Sequence, residues 1–217
     1  WSTAGKMDDK GKPIVKKDDK KHVIYDSRKG DFVLEENVVP EYQWFNGKVH
    51  YTLLSDKIDP TKVVEINRYE GSPTDGKSMI WPVKVFRGKQ PYDKVNLTLV
   101  APHTAGDDKT GYWKNFVWDK AIATGMTTMG APFSGQVGFV ATEMRWPTTH
   151  MVAPKEKAVG CVECHSTNGR LQKVSGLYMP GRDSNKVLNV LGWTAALTKL
   201  PRAISSDIGA SACVPLG

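Results

Sequence analysis

The 217-residue chain sets 30 Lys and Arg against 23 Asp and Glu, a formal charge of +7, with 40% hydrophobic and 24% charged residues. This is a globular composition rather than that of a disordered tail, and no apolar run exceeds three residues, which excludes a spanning helix and a retained signal peptide. Three cysteines are too few for a disulfide scaffold, and a first residue of Trp1 rather than Met implies processing or a start part-way into a longer product.

The basic surplus is concentrated in the head, where residues 1–29 hold nine Lys or Arg and five acids. Asp8, Asp9, Asp18 and Asp19 alternate with the lysines, the pattern of a solvated surface rather than a groove that tracks phosphates. From His22 to Val100 short extended runs follow one another: Val23–Tyr25, Asp31–Leu34, Val49–Leu53, Lys62–Ile66 and Val83–Phe86. Asn46-Gly47 between Trp44-Phe45 and Val49 is a hairpin signal.

Beyond residue 105 the spacing predicts a helix over Tyr112–Thr124, stopped by Gly125. A Gly-rich loop covers 130–140, and Phe139–Trp146 leads into Pro147. Pro154 opens a helix through Lys155–His165, and a last helix spans Ser184 to about Leu200. The expected fold is therefore mixed, mainly irregular and α-helical, with a few short strands in the N-terminal half. Residues 1–105 form an extended lobe and 106–217 a helical one.

Cys161-Val162-Glu163-Cys164-His165 is C-x-x-C-H, the attachment signature of c-type haem. Two thiols about one helical turn apart meet the two vinyl groups on one porphyrin edge, and the adjacent imidazole reaches the iron. A zinc ribbon would need a second cysteine pair, but Cys213 stands alone, and a thioredoxin-like pair would follow a strand in a βαβ unit. At least one covalent haem c is expected, organising the fold, in a compartment with c-type maturation: the periplasm or the cell exterior. His150, beside the elbow at Pro154, is the expected distal ligand, either to this haem or to a neighbouring one, with His22, His50 and His103 as further metal ligands. Arg170 and Arg182 flank the haem segment and suit propionates, because a guanidinium matches a carboxylate fork, although each also suits an ordinary surface ion pair. Trp44, Phe45, Trp113, Trp118, Trp146, Tyr178 and Trp193 are core residues or walls for porphyrin faces.

The stretch Cys161–Leu171 followed by Gly176-Leu-Tyr-Met-Pro-Gly-Arg-Asp183 resembles the end of the octahaem tetrathionate reductase family of multihaem cytochromes c. Pro40–Gly47, Lys89–Asp93 and His150–Lys155 are similar to it as well. The resemblance implies closely packed, mainly bis-histidine haems in a mostly helical protein outside the cytoplasm. It also implies reduction of tetrathionate, nitrite or hydroxylamine at a haem with a distal lysine. This chain has one haem motif, not eight, so it looks like the C-terminal portion, and no catalytic residue carries over; His165 does, as proximal ligand. Electron transfer as part of a multihaem cytochrome is thus the first reading, and a part of the reductase itself the second. Other multihaem segments or subunits are the expected partners, with a small inorganic substrate in the second reading and no nucleic acid in either.

Overall fold

The structure, a computed structural model, describes residues 1–35, 38–106, 108–148, 154–179, 182 and 183. Its strands are β1 (Val15–Lys17), β2 (Val23–Asp26), β3 (Gly30–Asp31), β4 (Glu41–Phe45), β5 (Val49–Tyr51), β6 (Val64–Glu65), β7 (Asn67–Tyr69), β8 (Met79–Asp93), β9 (Thr98–Leu99) and β10 (Val137–Pro147). Helices are short: α1 (Tyr112–Asn115), α2 (Trp118–Thr128) and α3 (Cys161–His165), with a 3-10 turn at Lys155–Lys157. The expectation of a mainly helical chain with strands confined to the N-terminal half is therefore wrong, because strand residues predominate and β10 lies beyond residue 130. The reason is visible in β8, a 15-residue strand whose Pro82, Gly88 and Pro91 disguise it and whose burial alternates only in short stretches, with phase breaks at Pro82-Val83, Phe86-Arg87 and Gln90-Pro91.

The chain divides into two compact units, residues 1–38, 49–68 and 85–146 in the first and 39–48, 69–84 and 147–217 in the second. In the first unit β1, β2 and β3 form an antiparallel sheet in that order. Tyr25 of β2 is buried, and its hydroxyl accepts the Lys6 N–H at 2.9 Å while donating to the Thr3 carbonyl at 3.3 Å. β10 runs parallel to β6, with Thr142 opposite Val64, and Val140 joins Ile58, Val64 and Leu99 in an apolar cluster. Asn67 extends this pairing: its Nδ2 donates to the Arg145 carbonyl at 2.7 Å, and its Oδ1 accepts the Arg145 N–H at 2.6 Å.

The expected helix Tyr112–Thr124 is two helices, because Phe116 adopts a left-handed conformation (φ 56°) that ends α1. α2 turns Ile122 and Met126 onto Val100, and runs through Gly125 rather than stopping there. A Cβ at Gly125 would lie 1.8 Å from the Ala101 carbonyl oxygen, so this glycine permits close packing instead of capping. The Gly-rich loop gives way to β10 from Val137 onward.

In the second unit β4 pairs antiparallel with Met79–Val83 of β8, with Trp44 opposite Ile80 and Tyr42 opposite Pro82. Asn46-Gly47 does turn the chain, with Gly47 at φ 94°, but β4 and β5 do not pair across it. β5 pairs with β7 instead, while Asn46 N–H donates to the Glu70 carbonyl and Glu70 N–H to that of Lys48. The unit's core is Leu171, Val174 and Met179, with Tyr42, Trp44, Ile80 and Leu177 packed on it.

Candidate functional site

The predicted helix Lys155–His165 resolves into the 3-10 turn, an extended stretch and the five-residue α3. Glu163 stands at the third helical position, the spacing of a capping-box acid, and its carboxylate accepts the Gly160 N–H at 2.8 Å. α3 therefore begins at Cys161 and carries Cys161 and Cys164 three residues apart, on one face. Cys161 is exposed, and Cys164 is half-buried against the Leu171–Met179 cluster. His165, also half-buried, closes the helix.

The loop after α3 folds back onto it. Arg170 N–H donates to the Glu163 carbonyl at 2.9 Å, and Ser166 N–H to that of Val162 at 3.1 Å. This return is possible because residue 169 is glycine, since a Cβ there would fall 2.2 Å from the Cys164 carbonyl oxygen. Trp44 Nε1 donates to the Ser175 carbonyl at 2.7 Å and ties the following loop to β4. Arg182 holds the same loop from within. Its Nη1 donates to the carbonyls of Gln172 (2.7 Å) and Val174 (2.6 Å), and its Nη2 to that of Leu177. It also forms a fork with Asp183, whose carboxyl this bond lowers below the ordinary range. Arg182 is thus engaged by the loop itself. Arg170 is half-buried at the edge of the segment.

The other expected ligands lie apart from α3 in the chain. His22 sits between β1 and β2, its Nδ1 3.3 Å from Asp18 Oδ2. His50 is exposed on β5. His103 donates its backbone N–H to Ala121, and its Nε2 lies 2.7 Å from Asp108 Oδ2. Hydrogen bonds from Thr110, and then from His103, hold the Asp108 carboxyl well below the usual carboxylate range. His150, Cys213 and the helix expected over 184–200 lie outside the described residues.

The donor set fits a covalently held porphyrin. Cys161 and Cys164 on one face of a helix would supply thioether bonds, and the adjacent His165 would supply an iron ligand. The apolar side chains of Val159 and Val162 stand exposed beside the motif, as surface awaiting cover would. Among the described residues of the second unit, Gln43 Nε2, Thr148 Oγ1 and the Tyr178 hydroxyl are buried without hydrogen-bond partners. All three can donate, and a buried donor left unpaired is costly. Sequence reading missed Glu163 and Gly169; the Gly-x-x-Glu spacing marked the first, and nothing local marked the second.

The chain belongs to the bacterial cytochrome c family, whose model matches residues 1–168. It is similar in structure to octaheme cytochrome c from Shewanella oneidensis, with 39% identity and a TM-score of 0.69 over 81% of this chain and 39% of that one. The chain therefore spans about two-fifths of that protein's length. No curated protein matches it. Family and neighbour together establish covalently bound haem c and a place among the multihaem or electron-transfer cytochromes. No described helix is long and apolar enough to cross a membrane.

Proposed function

We propose that this cytochrome carries electrons through a haem bonded to Cys161 and Cys164, with His165 as proximal iron ligand, as the C-terminal part of a multihaem protein in the periplasm or outside the cell. The observation that carries the reading is α3, which presents two thiols and the adjacent imidazole within one five-residue helix. When bound, haem supplies a one-electron iron couple. The Cys161 and Cys164 thiols would hold it through its vinyl groups, His165 would be its iron ligand, and Glu163, Gly169 and Arg182 brace the surrounding loop. Arg170 would offer a guanidinium to a propionate, and His150 would serve as a distal ligand to this haem or to a neighbouring one.

The resemblance to tetrathionate reductases and the octahaem neighbour favour an assembly whose haems outnumber the single motif here. In that assembly the chain either relays electrons to a catalytic haem elsewhere or forms part of the reductase. The mature chain should weigh one haem more than its residues and keep that haem through acid-acetone extraction. Cys161→Ala with Cys164→Ala should lose it. Extractable haem in the wild type would overturn the reading. A redox titration of the native assembly with tetrathionate, nitrite and hydroxylamine then separates relay from reductase, because only a reductase turns over.

A further inference from the structure

We propose that Asn46 is a site of spontaneous covalent modification, at which the Gly47 backbone nitrogen displaces ammonia from the Asn46 side chain and water then leaves an aspartyl or isoaspartyl residue. The reaction belongs to the turn after β4 and needs no haem.

The chain holds the Asn-Gly pair twice, at Asn46-Gly47 and at Asn168-Gly169, and the fold treats the two differently. In both, the glycine has no side chain to hinder its nitrogen as it nears the preceding carboxamide. Gly47 is exposed at φ 94°, and a Cβ there would meet nothing within 4 Å. Asn46 N–H donates to the Glu70 carbonyl at 2.9 Å, and Glu70 N–H donates to the Lys48 carbonyl at 3.0 Å. The residues on either side of Gly47 are thus held, while its own N–H has no acceptor among the described residues. The nucleophile is free. Asn46 Oδ1 accepts the Lys48 N–H at 3.0 Å. That bond folds the carboxamide back over the Gly47 nitrogen and polarises the C=O at the oxygen where negative charge develops during attack.

Asn168 is also exposed, so access to water does not separate the two sites. Gly169 does. It is buried, and its N–H donates to the Ser166 carbonyl at 2.8 Å. Arg170 N–H, the counterpart of Lys48 N–H, goes to the Glu163 carbonyl rather than to the Asn168 side chain. Here the nucleophile is occupied and the electrophile is unassisted.

The step balances with water as the one co-reactant. As the bond from Gly47 nitrogen to Asn46 Cγ forms, the nitrogen's proton passes through solvent to Nδ2. The Cγ–Nδ2 bond breaks, ammonia leaves, and a five-membered succinimide closes. Water opens the ring at either carbonyl. Opening at the backbone carbonyl gives isoaspartate, which adds a methylene to the main chain between the two residues that bond Glu70. Either product places a carboxylate at position 46.

The test incubates the full haem-loaded chain in warm, mildly alkaline buffer and follows both Asn-Gly peptides by mass spectrometry. The mass reads conversion of amide to acid, and fragmentation identifies isoaspartate. Position 46 should convert at least about tenfold faster than position 168, whose glycine amide must first break its hydrogen bond. In urea, where neither turn exists, the two rates should converge. Asn46→Gln, which would have to close a less favourable six-membered ring, should stay unconverted at 46 and leave the rate at 168 unchanged. Equal rates in the folded chain, or faster conversion at 168, would overturn the assignment. So would a folded chain that stays intact at 46 while the urea-unfolded chain converts there.

Discussion

Trp44 and Ser175 stand 131 positions apart in the chain and are joined by a 2.7 Å hydrogen bond from the indole Nε1 to the backbone carbonyl. The bond fastens β4 to the loop that follows α3. Trp44→Phe keeps most of the packing on Leu171 and Val174 but removes the donor. It should lower unfolding free energy by about 0.5–1.5 kcal/mol, seen as a lower urea midpoint with unchanged slope. An unchanged midpoint would show that the bond contributes nothing to stability.

Gly169→Ala should be worse tolerated. Its new methyl would meet the Cys164 carbonyl oxygen at 2.2 Å and the Ser166 nitrogen at 3.0 Å, and backbone cannot swing aside as a side chain can. A loss of about 1–3 kcal/mol is expected, together with a lower yield of covalent haem during maturation. Wild-type stability and full attachment in the variant would show that the loop relaxes freely.

Arg182→Lys keeps the charge and should still fail. The guanidinium serves the carbonyls of Gln172, Val174 and Leu177 and the Asp183 carboxylate together, which an ammonium on a flexible stem cannot reproduce. The expected cost is about 1–3 kcal/mol, with faster amide exchange in residues 172–179 as the local sign. Equal exchange in both proteins would remove the clamp from the account.

Asp93 predicts an acid limb. It is fully buried at the end of β8 and accepts hydrogen bonds from Val95, Asn96 and Ser134. Burial alone would raise its carboxyl, but those hydrogen bonds hold it down at about 2. Because the folded value lies below the ~3.9 of an unfolded aspartate, the stabilisation is full above that value and is lost as pH falls towards 2. The thermal midpoint of the wild type should therefore fall more steeply between pH 4 and pH 2 than that of Asp93→Asn. Parallel curves would place the acid sensitivity elsewhere.

The covalent haem c of the family was legible in five consecutive residues, because two thioether bonds and a neighbouring ligand would be local demands that helix spacing alone can meet. β2 and the core of β5 were legible for a similar reason, since short runs of β-branched and aromatic residues bounded by turn signals mark a strand wherever its partner lies. Pairing was not. Asn46-Gly47 announced a hairpin, yet β4 pairs with β8 and β5 with β7, because ladder partners are chosen by burial across the whole chain rather than by the turn between two strands. The helical bias failed in the same way: sheet hydrogen bonds recruit residues as distant as Val64 and Thr142, and a strand interrupted by Pro82, Gly88 and Pro91 shows its short alternating stretches only once its two faces exist. Tertiary structure also decided what the flanking residues do. Arg182 sees three loop carbonyls, and His22 sees an aspartate whose other oxygen is held by two backbone N–H groups. The sequence names the residues able to bond, but each of those partners exists only where the folded chain brings a donor and an acceptor within about 3 Å.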